Sequence, residues 1–173
     1  MKLSTLIIIA LILGAIIGFY FPDDIFNDDN PQEFSADIVG QAIVTDGDTI
    51  KISGTRIRFH GIDAPELDQP CWIDGRQYMC GVEARSYLNH IINNQEVMCQ
   101  TQSTDQYGRK VATCYNYKNE DIESLMVSAG MATAYSYSSY DYLIEEMSAR
   151  FDNRGIWAGE FKEPYEFRQS KRN

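Results

Sequence analysis

Two short turns divide residues 37–62, DIVGQAIVTDGDTIKISGTRIRFHGI, into three strand-like runs. The turns lie at Asp46-Gly47-Asp48 and at Ser53-Gly54, and both are strong signals for a β-hairpin because glycine accepts the backbone angles of tight turns. Valine, isoleucine and threonine, which favour strands, fill the runs between the turns. The segment therefore predicts three consecutive strands joined by hairpins at the start of the folded part.

The rest of the chain alternates between helices and strands. Apolar residues recur at helical intervals in VEARSYLNHII, residues 82–92, while EVMCQTQS and RKVATCYNY are typical of strands. A second helix is expected between a possible N-cap at Asp121 and a stop at Gly130, and a third from Tyr140 to Asn153. Five strands with a helix between the third and the fourth is the strand order of a small OB-type barrel. The fold class expected is therefore α+β, a five-stranded OB-fold β-barrel with three helices.

An uncharged run of 19 residues, LSTLIIIALILGAIIGFYF at positions 3–21, precedes this part of the chain. About 20 apolar residues span a bilayer, whereas the apolar core of a secretory signal peptide is shorter, on the order of 7–15 residues. We expect residues 1–21 to form a single transmembrane or signal helix, with a retained anchor favoured over a cleaved peptide. Lys2 then places the N-terminus in the cytoplasm and the remaining chain outside it, secreted if the segment is cleaved.

The segment PDDIFNDDNPQEFSAD, from Pro22 to Asp37, holds six acidic residues and no basic one. This composition is typical of a solvated tether. We expect an acidic linker at residues 22–35, a folded domain at 36–168 and a polar tail at 169–173. The formal net charge of the chain is −10, but 19 acidic and 14 basic residues remain once the tether and Lys2 are set aside. The domain itself is thus only mildly acidic.

All four cysteines, Cys71, Cys80, Cys99 and Cys114, lie beyond the tether. No pair has the Cys-x-x-Cys spacing, which disfavours a zinc site. If the two later strands form a hairpin that turns at DQYG, Cys99 and Cys114 face each other at a separation that a disulfide can close. Cys71 and Cys80 would then close a loop, and two disulfides would indicate an oxidising compartment. Four buried free thiols is the alternative.

Charged residues stand at the ends and in the middle of the first three strands. Asp48 and Asp63 are natural ligands for a hard cation such as Ca²⁺, although Asp-Gly-Asp is also a common turn. Arg56 and Arg58 point to one face of their strand because alternate side chains share a face. A guanidinium beside a metal ion is a common device for binding phosphate oxygens. For Arg56, a solvated surface position or a pairing with nearby acids is the preferred interpretation.

Three segments, DGDTI, RFHGIDAPE and DQYGRKVA, resemble the signature segments of the staphylococcal (thermonuclease-like) nuclease family, in order and at compatible separations. The end of the chain, NRGIWAGEFKEPYEFR, resembles the C-terminal segment of bacterial members. The resemblance covers roughly Ala36 to Arg168. It implies an OB barrel with three helices and the Ca²⁺-dependent cleavage of phosphodiester bonds in DNA and RNA.

The same resemblance implies roles for individual residues. The Ca²⁺ ligands would be Asp48, Asp63 and the carbonyl of Ala64. Glu66 would activate or position the attacking water. Arg58 and Arg109 would bind the phosphate and stabilise the five-coordinate transition state.

Tyrosines would line the nucleotide site. Tyr107 matches one such tyrosine of the family, and Tyr135 and Tyr137 match two others if a gap of one residue is allowed. The chain also departs from the best-known relative, which has a long basic loop after the Glu66 position and a lysine where this chain has Gln106. Because nucleic-acid affinity rises with the number of phosphates neutralised, we expect weaker and less salt-sensitive binding here.

The leading hypothesis is a membrane-anchored, extracytoplasmic, Ca²⁺-dependent endonuclease. It would act as a monomer on DNA and RNA, in single-stranded or unpaired regions. A second hypothesis is a catalytically inactive OB-fold module that binds nucleic acid or a protein partner at the membrane surface. A third is a structural, membrane-tethered domain whose acids hold calcium for stability.

Overall fold

Nine strands are present in the computed structural model, which describes residues 35–135 and 140–172. In chain order they are β1 (Ile38–Val44), β2 (Thr49–Ile52), β3 (Thr55–Phe59), β4 (Ile62–Asp63), β5 (Pro70–Ile73), β6 (Arg76–Met79), β7 (Glu96–Thr104), β8 (Lys110–Tyr115) and β9 (Thr133–Ala134). Five of them close into a barrel in the order β1-β2-β3-β8-β7. All neighbours in the barrel are antiparallel except β3 and β8, which are parallel. The predicted five-stranded barrel of an α+β fold is confirmed.

Four α-helices lie in the described residues, one more than predicted. They are α1 (Cys80–Ile92), α2 (Ile122–Ser128), α3 (Leu143–Phe151) and α4 (Pro164–Ser170), with a 3₁₀ turn at Gly155–Ala158. Asp121 caps α2 as predicted, because its carboxylate accepts a hydrogen bond from the backbone N–H of Ser124 at 2.8 Å. The third predicted helix is shorter than expected, and α4 was not predicted.

Residues 70–79 form a hairpin, β5–β6, where the sequence analysis expected no strands. Its turn is Asp74-Gly75, and both residues have positive φ, 51° and 73°. An Asp-Gly pair with two positive φ angles is the usual turn of a two-residue hairpin. That signal was present in the sequence.

The core fills the barrel and the space between the barrel and the helices. Ile50 and Ile57 in the strands, Leu88 in α1 and Met126 in α2 are fully buried. Along β3, Ile57 and Phe59 are buried while Arg56 is exposed and Arg58 is partly exposed. The predicted division of β3 into an apolar face and an arginine face is confirmed, and it directs both arginines out of the core.

Both expected disulfides are present. Cys99 and Cys114 are partners in the ladder of β7 and β8, with Cα atoms 4.1 Å apart, and Cys71 and Cys80 are bonded with Cα atoms 5.7 Å apart. The Cys71–Cys80 bridge belongs to a second, smaller core with Ile156, against which Trp157 and Phe161 pack. The disulfide hairpin therefore anchors the C-terminal segment of the chain.

The predicted signal or anchor segment, residues 1–21, and almost all of the acidic linker lie outside the described residues. Within 35–135 and 140–172, no helix is long and apolar enough to cross a membrane.

Candidate active site

A cleft of about 550 Å³ opens where the β1–β2 turn, β3, the chain after β4 and the β7–β8 turn come together. Seven residues that the family resemblance assigns to the site line it: Asp48, Arg58, Ala64, Glu66, Tyr107, Arg109 and Tyr135. Asp63 lies directly beside the cleft, because its carboxylate pairs with Arg58. Tyr137 lies outside the described residues. The structure therefore brings all the described candidates together at one place.

Asp48 and Asp63 meet on a single guanidinium group. In the β2–β3 register Thr49 pairs with Arg58, so Asp48 comes next to the arginine at the end of the ladder. Nη1 of Arg58 lies 2.9 Å from Asp48 Oδ2, and Nη2 lies 2.8 Å from Asp63 Oδ1. The two aspartates are only 5% and 2% exposed. Buried carboxylates require such pairing, since an unpaired buried charge is strongly unfavourable.

The pKa values of Arg58 and Asp46 are both raised at this site. Burial alone would lower the pKa of Arg58, but the nearby carboxylates of Asp48 and Asp63 outweigh that effect and raise the pKa. Burial, reinforced by the adjacent charge of Asp48, raises the pKa of Asp46 to about 6. Asp46 accepts a hydrogen bond from the backbone N–H of Asp48 at 3.1 Å, which supports its assignment as a turn residue.

Glu66 lines the cleft with a side chain that is 37% exposed. Its backbone N–H donates to Oε1 of the fully buried Gln69 at 3.3 Å. Gly81, in the first turn of α1, packs against the backbone carbonyl of Glu66 so closely that a Cβ atom there would lie 2.0 Å from the oxygen. The backbone of Glu66 is thus held from two sides while its carboxylate reaches the cleft.

Arg109 reaches the cleft from the β7–β8 turn. The parallel pairing of β3 and β8, with Ile57 opposite Lys110, brings Arg109 to the same end of the barrel as Arg58. Asp105 orients Arg109 by accepting from its Nε at 2.7 Å and from its backbone N–H at 2.9 Å. The guanidinium carbon of Arg109 lies 5.7 Å from the ring centroid of Tyr107.

Arg168, in α4, is a residue of the site that the sequence analysis missed. Its Nη1 and Nη2 donate to Oδ1 and Oδ2 of Asp63 at 3.0 and 2.8 Å, and Nη1 also donates to Oε1 of Glu66 at 3.2 Å. Tyr165 and Arg172 line the same cleft. The resemblance of the C-terminal segment to that of bacterial nucleases marked this stretch of the chain, but no local pattern indicated a side chain that reaches back across about a hundred residues.

Asp48 and Asp63 are the residues of the cleft that could hold a hard cation, which would share the Asp63 oxygens with Arg58 and Arg168. Asp48 and Asp63 offer anionic oxygens that lie close together, because both contact the same guanidinium. In the described part of the chain, no group of three or more histidine, cysteine, aspartate or glutamate side chains is arranged to hold a metal ion. The Ala64 carbonyl lies in the same cleft and is a further oxygen that could contact a cation there.

Comparison with known proteins gives an independent result. Residues 56–159 match the family model described as staphylococcal nuclease homologue. The chain is 34% identical over 123 residues to a succinoglycan biosynthesis protein of Rhizobium meliloti (strain 1021), covering 69% of this chain and 64% of that protein. It is 34% identical over 145 residues to a probable staphylococcal-like nuclease of Oryza sativa subsp. japonica, covering 80% of this chain and 36% of that protein. It is also 30% identical over 122 residues to an uncharacterized endonuclease of Haemophilus influenzae, covering 66% and 63% of the two chains. The chain thus spans less than two thirds of the length of each of these relatives.

Proposed function

The chain belongs to the staphylococcal nuclease homologue family, and from this premise we propose that it is an endonuclease that hydrolyses phosphodiester bonds in DNA and RNA. One observation supports the proposal above the others. A single cleft contains two buried aspartates on Arg58, a partly exposed glutamate and a second arginine, Arg109. Hydrolysis of a phosphodiester requires a positioned water and compensation of the charge that develops on the phosphate.

Different residues of the cleft carry out these two tasks. Glu66 is the exposed carboxylate of the cleft, and it orients the attacking water and accepts its proton. Arg58 and Arg109 lie at the same end of the barrel and donate hydrogen bonds to the phosphate oxygens, where charge accumulates in the transition state. The pairing of Arg58 with two aspartates and of Arg109 with Asp105 fixes both guanidinium groups in advance of substrate binding.

We propose Ca²⁺ as the metal ion, held by Asp48, Asp63 and the carbonyl of Ala64. When bound, the cation would polarise a phosphoryl oxygen and neutralise part of its charge. The choice of Ca²⁺ rests on the resemblance to the family and on the oxygen-only donor set.

Unpaired nucleotides are the proposed substrates. Tyr107, 63% exposed, and Tyr135 line the cleft next to its arginines. Aromatic rings beside basic groups favour single strands, because every base has a face that can stack. Tyr137 is proposed as a further tyrosine of this site on the resemblance alone.

We place the enzyme outside the cytoplasm, anchored to the membrane by residues 1–21 and acting as a monomer. Two disulfides and no free cysteine are typical of an oxidising compartment. The apolar run at the N-terminus agrees with the same location.

The test is a cleavage assay on the full chain with denatured DNA and with RNA, in Ca²⁺ and in chelator. We expect cleavage only with the cation, and a loss of about 100-fold or more in Glu66→Gln and in Arg109→Ala. Glu96→Gln and Arg85→Ala remove the same groups from exposed positions away from the cleft and serve as controls. Cleavage that persists in chelator contradicts the role of the cation, and no cleavage with any metal ion contradicts the proposed function.

The alternative is a catalytically inactive OB-fold module. It predicts that the parent chain binds nucleic acid without cutting it and that Glu66→Gln and Arg109→Ala leave the binding unchanged.

A further inference from the structure

We propose that Arg168 is a positioning residue that holds the carboxylate of Glu66 in place for hydrolysis. This inference rests on the proposed function and concerns a residue outside the family-model match, which ends at residue 159. Nη1 of Arg168 donates to both Asp63 Oδ1 and Glu66 Oε1, at 3.0 and 3.2 Å. Nη2 donates to Asp63 Oδ2 at 2.8 Å. The guanidinium thus joins a buried carboxylate to a partly exposed one.

Glu66 requires such support because its side chain is long and 37% exposed. Across residues 35–135 and 140–172, Arg168 is the one group within hydrogen-bonding distance of the Glu66 carboxylate. Without it, the carboxylate would sample several rotamers, and holding one of them costs side-chain entropy. A catalytic group that is displaced by about 1 Å can lose on the order of 100-fold in rate. Asp63, 2% exposed and also paired with Arg58, supplies the fixed end of the bridge.

The chain that leads into α4, which carries Arg168, is held against the site by hydrogen bonds of Glu160 and Lys162. Trp72 and Glu160 exchange two backbone hydrogen bonds of 2.8 Å, which ties the chain before α4 to β5. The fully buried Gln69 donates through Nε2 to the carbonyl of Lys162 at 2.6 Å and accepts through Oε1 from the backbone N–H of Glu66. One side chain therefore links the backbone of Glu66 to the chain that enters α4. These contacts hold both the chain before α4 and the backbone of Glu66 in the positions from which Arg168 and Glu66 meet.

The geometry requires an arginine. Nη1 and Nη2 of Arg168 lie in the plane of the guanidinium and together donate the three hydrogen bonds. The ammonium of a lysine has a single nitrogen and cannot reproduce this arrangement. Arg168→Lys keeps the charge and loses the bridge, while Arg168→Met loses both and keeps much of the side-chain volume. We expect both variants to be impaired, and the lysine variant to recover only part of the activity.

The experiment measures kcat and KM for the full chain, Arg168→Met, Arg168→Lys, Glu66→Gln and the double variant Arg168→Met/Glu66→Gln. We expect Arg168→Met to lower kcat by about 10- to 100-fold with little change in KM. The double variant should be no slower than Glu66→Gln, because a residue that acts through Glu66 has no effect once that carboxylate is removed. Lys171→Met is the control, since Lys171 carries the same charge at the end of α4 but pairs with the exposed Asp68.

Three results would overturn the inference. Additive losses in the double variant, or a rise in KM with kcat unchanged, would mean that Arg168 binds the substrate directly. If neither kcat nor KM changes in Arg168→Met, the residue has a structural role only. Thermal unfolding of each variant excludes loss of the fold as the cause.

Crystal structures of the parent and Arg168→Met supply a readout that needs no activity. We expect a single Glu66 conformer in the parent and several in the variant. If the parent cleaves nothing, the proposed function fails while this comparison still tests the positioning of Glu66. One ordered conformer of Glu66 in both crystals would contradict the role of Arg168.

Discussion

At the scale of single residues, the cleft keeps three carboxylates close to two guanidinium groups. Asp48, Asp63 and Glu66 contact Arg58 and Arg168 in a continuous network. Within this network three acidic side chains contact two arginines, and each buried aspartate is paired with at least one guanidinium group. The two arginines therefore prevent the buried aspartates from standing unpaired.

Glu123, in α2, is a buried acidic residue outside the cleft. It is fully buried, and its two carboxyl oxygens both accept from the backbone N–H of Cys114 at 3.1 Å. Burial, with the nearby charge of Asp121 adding to it, raises the pKa of Glu123 well above its usual value. The folded protein therefore keeps a proton at Glu123 that the unfolded chain releases.

We predict that the stability of the fold decreases as the pH rises from about 4.3, the usual glutamate pKa, towards the raised pKa of folded Glu123. The folded state binds the additional proton in this window, so each pH unit costs about 1.4 kcal/mol of unfolding free energy from this group. Glu123→Gln cannot ionise, and its stability should fall less over the same range. Denaturant unfolding at several pH values measures both curves.

The two curves can differ by a constant offset, because glutamine brings an N–H₂ group into the core. The difference in slope is the informative quantity, since all other titrating groups are shared by the two proteins. Parallel curves for the parent and Glu123→Gln would contradict the prediction.

Residues of the candidate site were predictable only where they lie in short, recognisable segments. Asp48, Arg58 and Glu66 fall in two hairpin-associated stretches, and Arg109 follows a turn. Arg168 was missed because its partners Asp63 and Glu66 lie 105 and 102 positions away. Periodicity and turn signals describe the local path of the backbone, and they contain no information about which distant side chains meet.

At the scale of secondary-structure elements, the start of α1 fixes the position of the turn that carries Glu66. A Cβ atom on Gly81 would lie 2.0 Å from the carbonyl oxygen of Glu66 and 2.7 Å from that of Pro65. Both atoms belong to the backbone, so a larger side chain can be accommodated only by moving the helix or the turn.

We predict that Gly81→Ala lowers both stability and cleavage. Helix propensity alone would favour alanine by about 1 kcal/mol, but overpacking against backbone atoms costs about 1–3 kcal/mol and displaces Glu66. Activity should therefore fall by about 10-fold or more, which the assay and a thermal melt detect together. Val82→Ala, a change on the exposed face of the same turn, is the matched control. A Gly81→Ala protein that is more stable than the parent and fully active would show that the turn moves freely.

The elements differ in how far the sequence determines them. β1, β2 and β3 were predictable because glycine-containing turns and strand-forming residues agree, and α1 because its apolar face repeats at helical intervals. The β5–β6 hairpin was not predicted, although Asp74-Gly75 is itself a hairpin turn. Helix α4 has only seven residues, and so short a helix depends on docking more than on its own propensity.

At the scale of the whole molecule, the charge of the chain and the charge of the cleft oppose each other. The chain has a formal net charge of −10, whereas five arginines line the cleft: Arg56, Arg58, Arg109, Arg168 and Arg172. Three of these are paired with acids. Arg56 and Arg172 have no acidic partner within salt-bridge distance in the described ranges. An anionic polymer is therefore attracted locally and repelled by much of the remaining surface.

We predict a shallow salt dependence of nucleic-acid binding as a consequence. Each phosphate neutralised on a single strand contributes about −0.7 to the slope of log affinity against log salt concentration. Contacts from Arg56 and Arg172 alone would give a slope of about −1.4, and contacts from all five arginines a slope of about −3.5. The slope should lie between these limits when a labelled single-stranded oligonucleotide is titrated with Glu66→Gln in chelator, which prevents cleavage. Replacing Arg172 with glutamine should make the slope shallower by about 0.7, whereas Lys171→Gln, outside the cleft, should leave it unchanged. A slope steeper than about −3.5 would require phosphate contacts outside the cleft, and would contradict the view that the arginines of the cleft provide the whole electrostatic attraction.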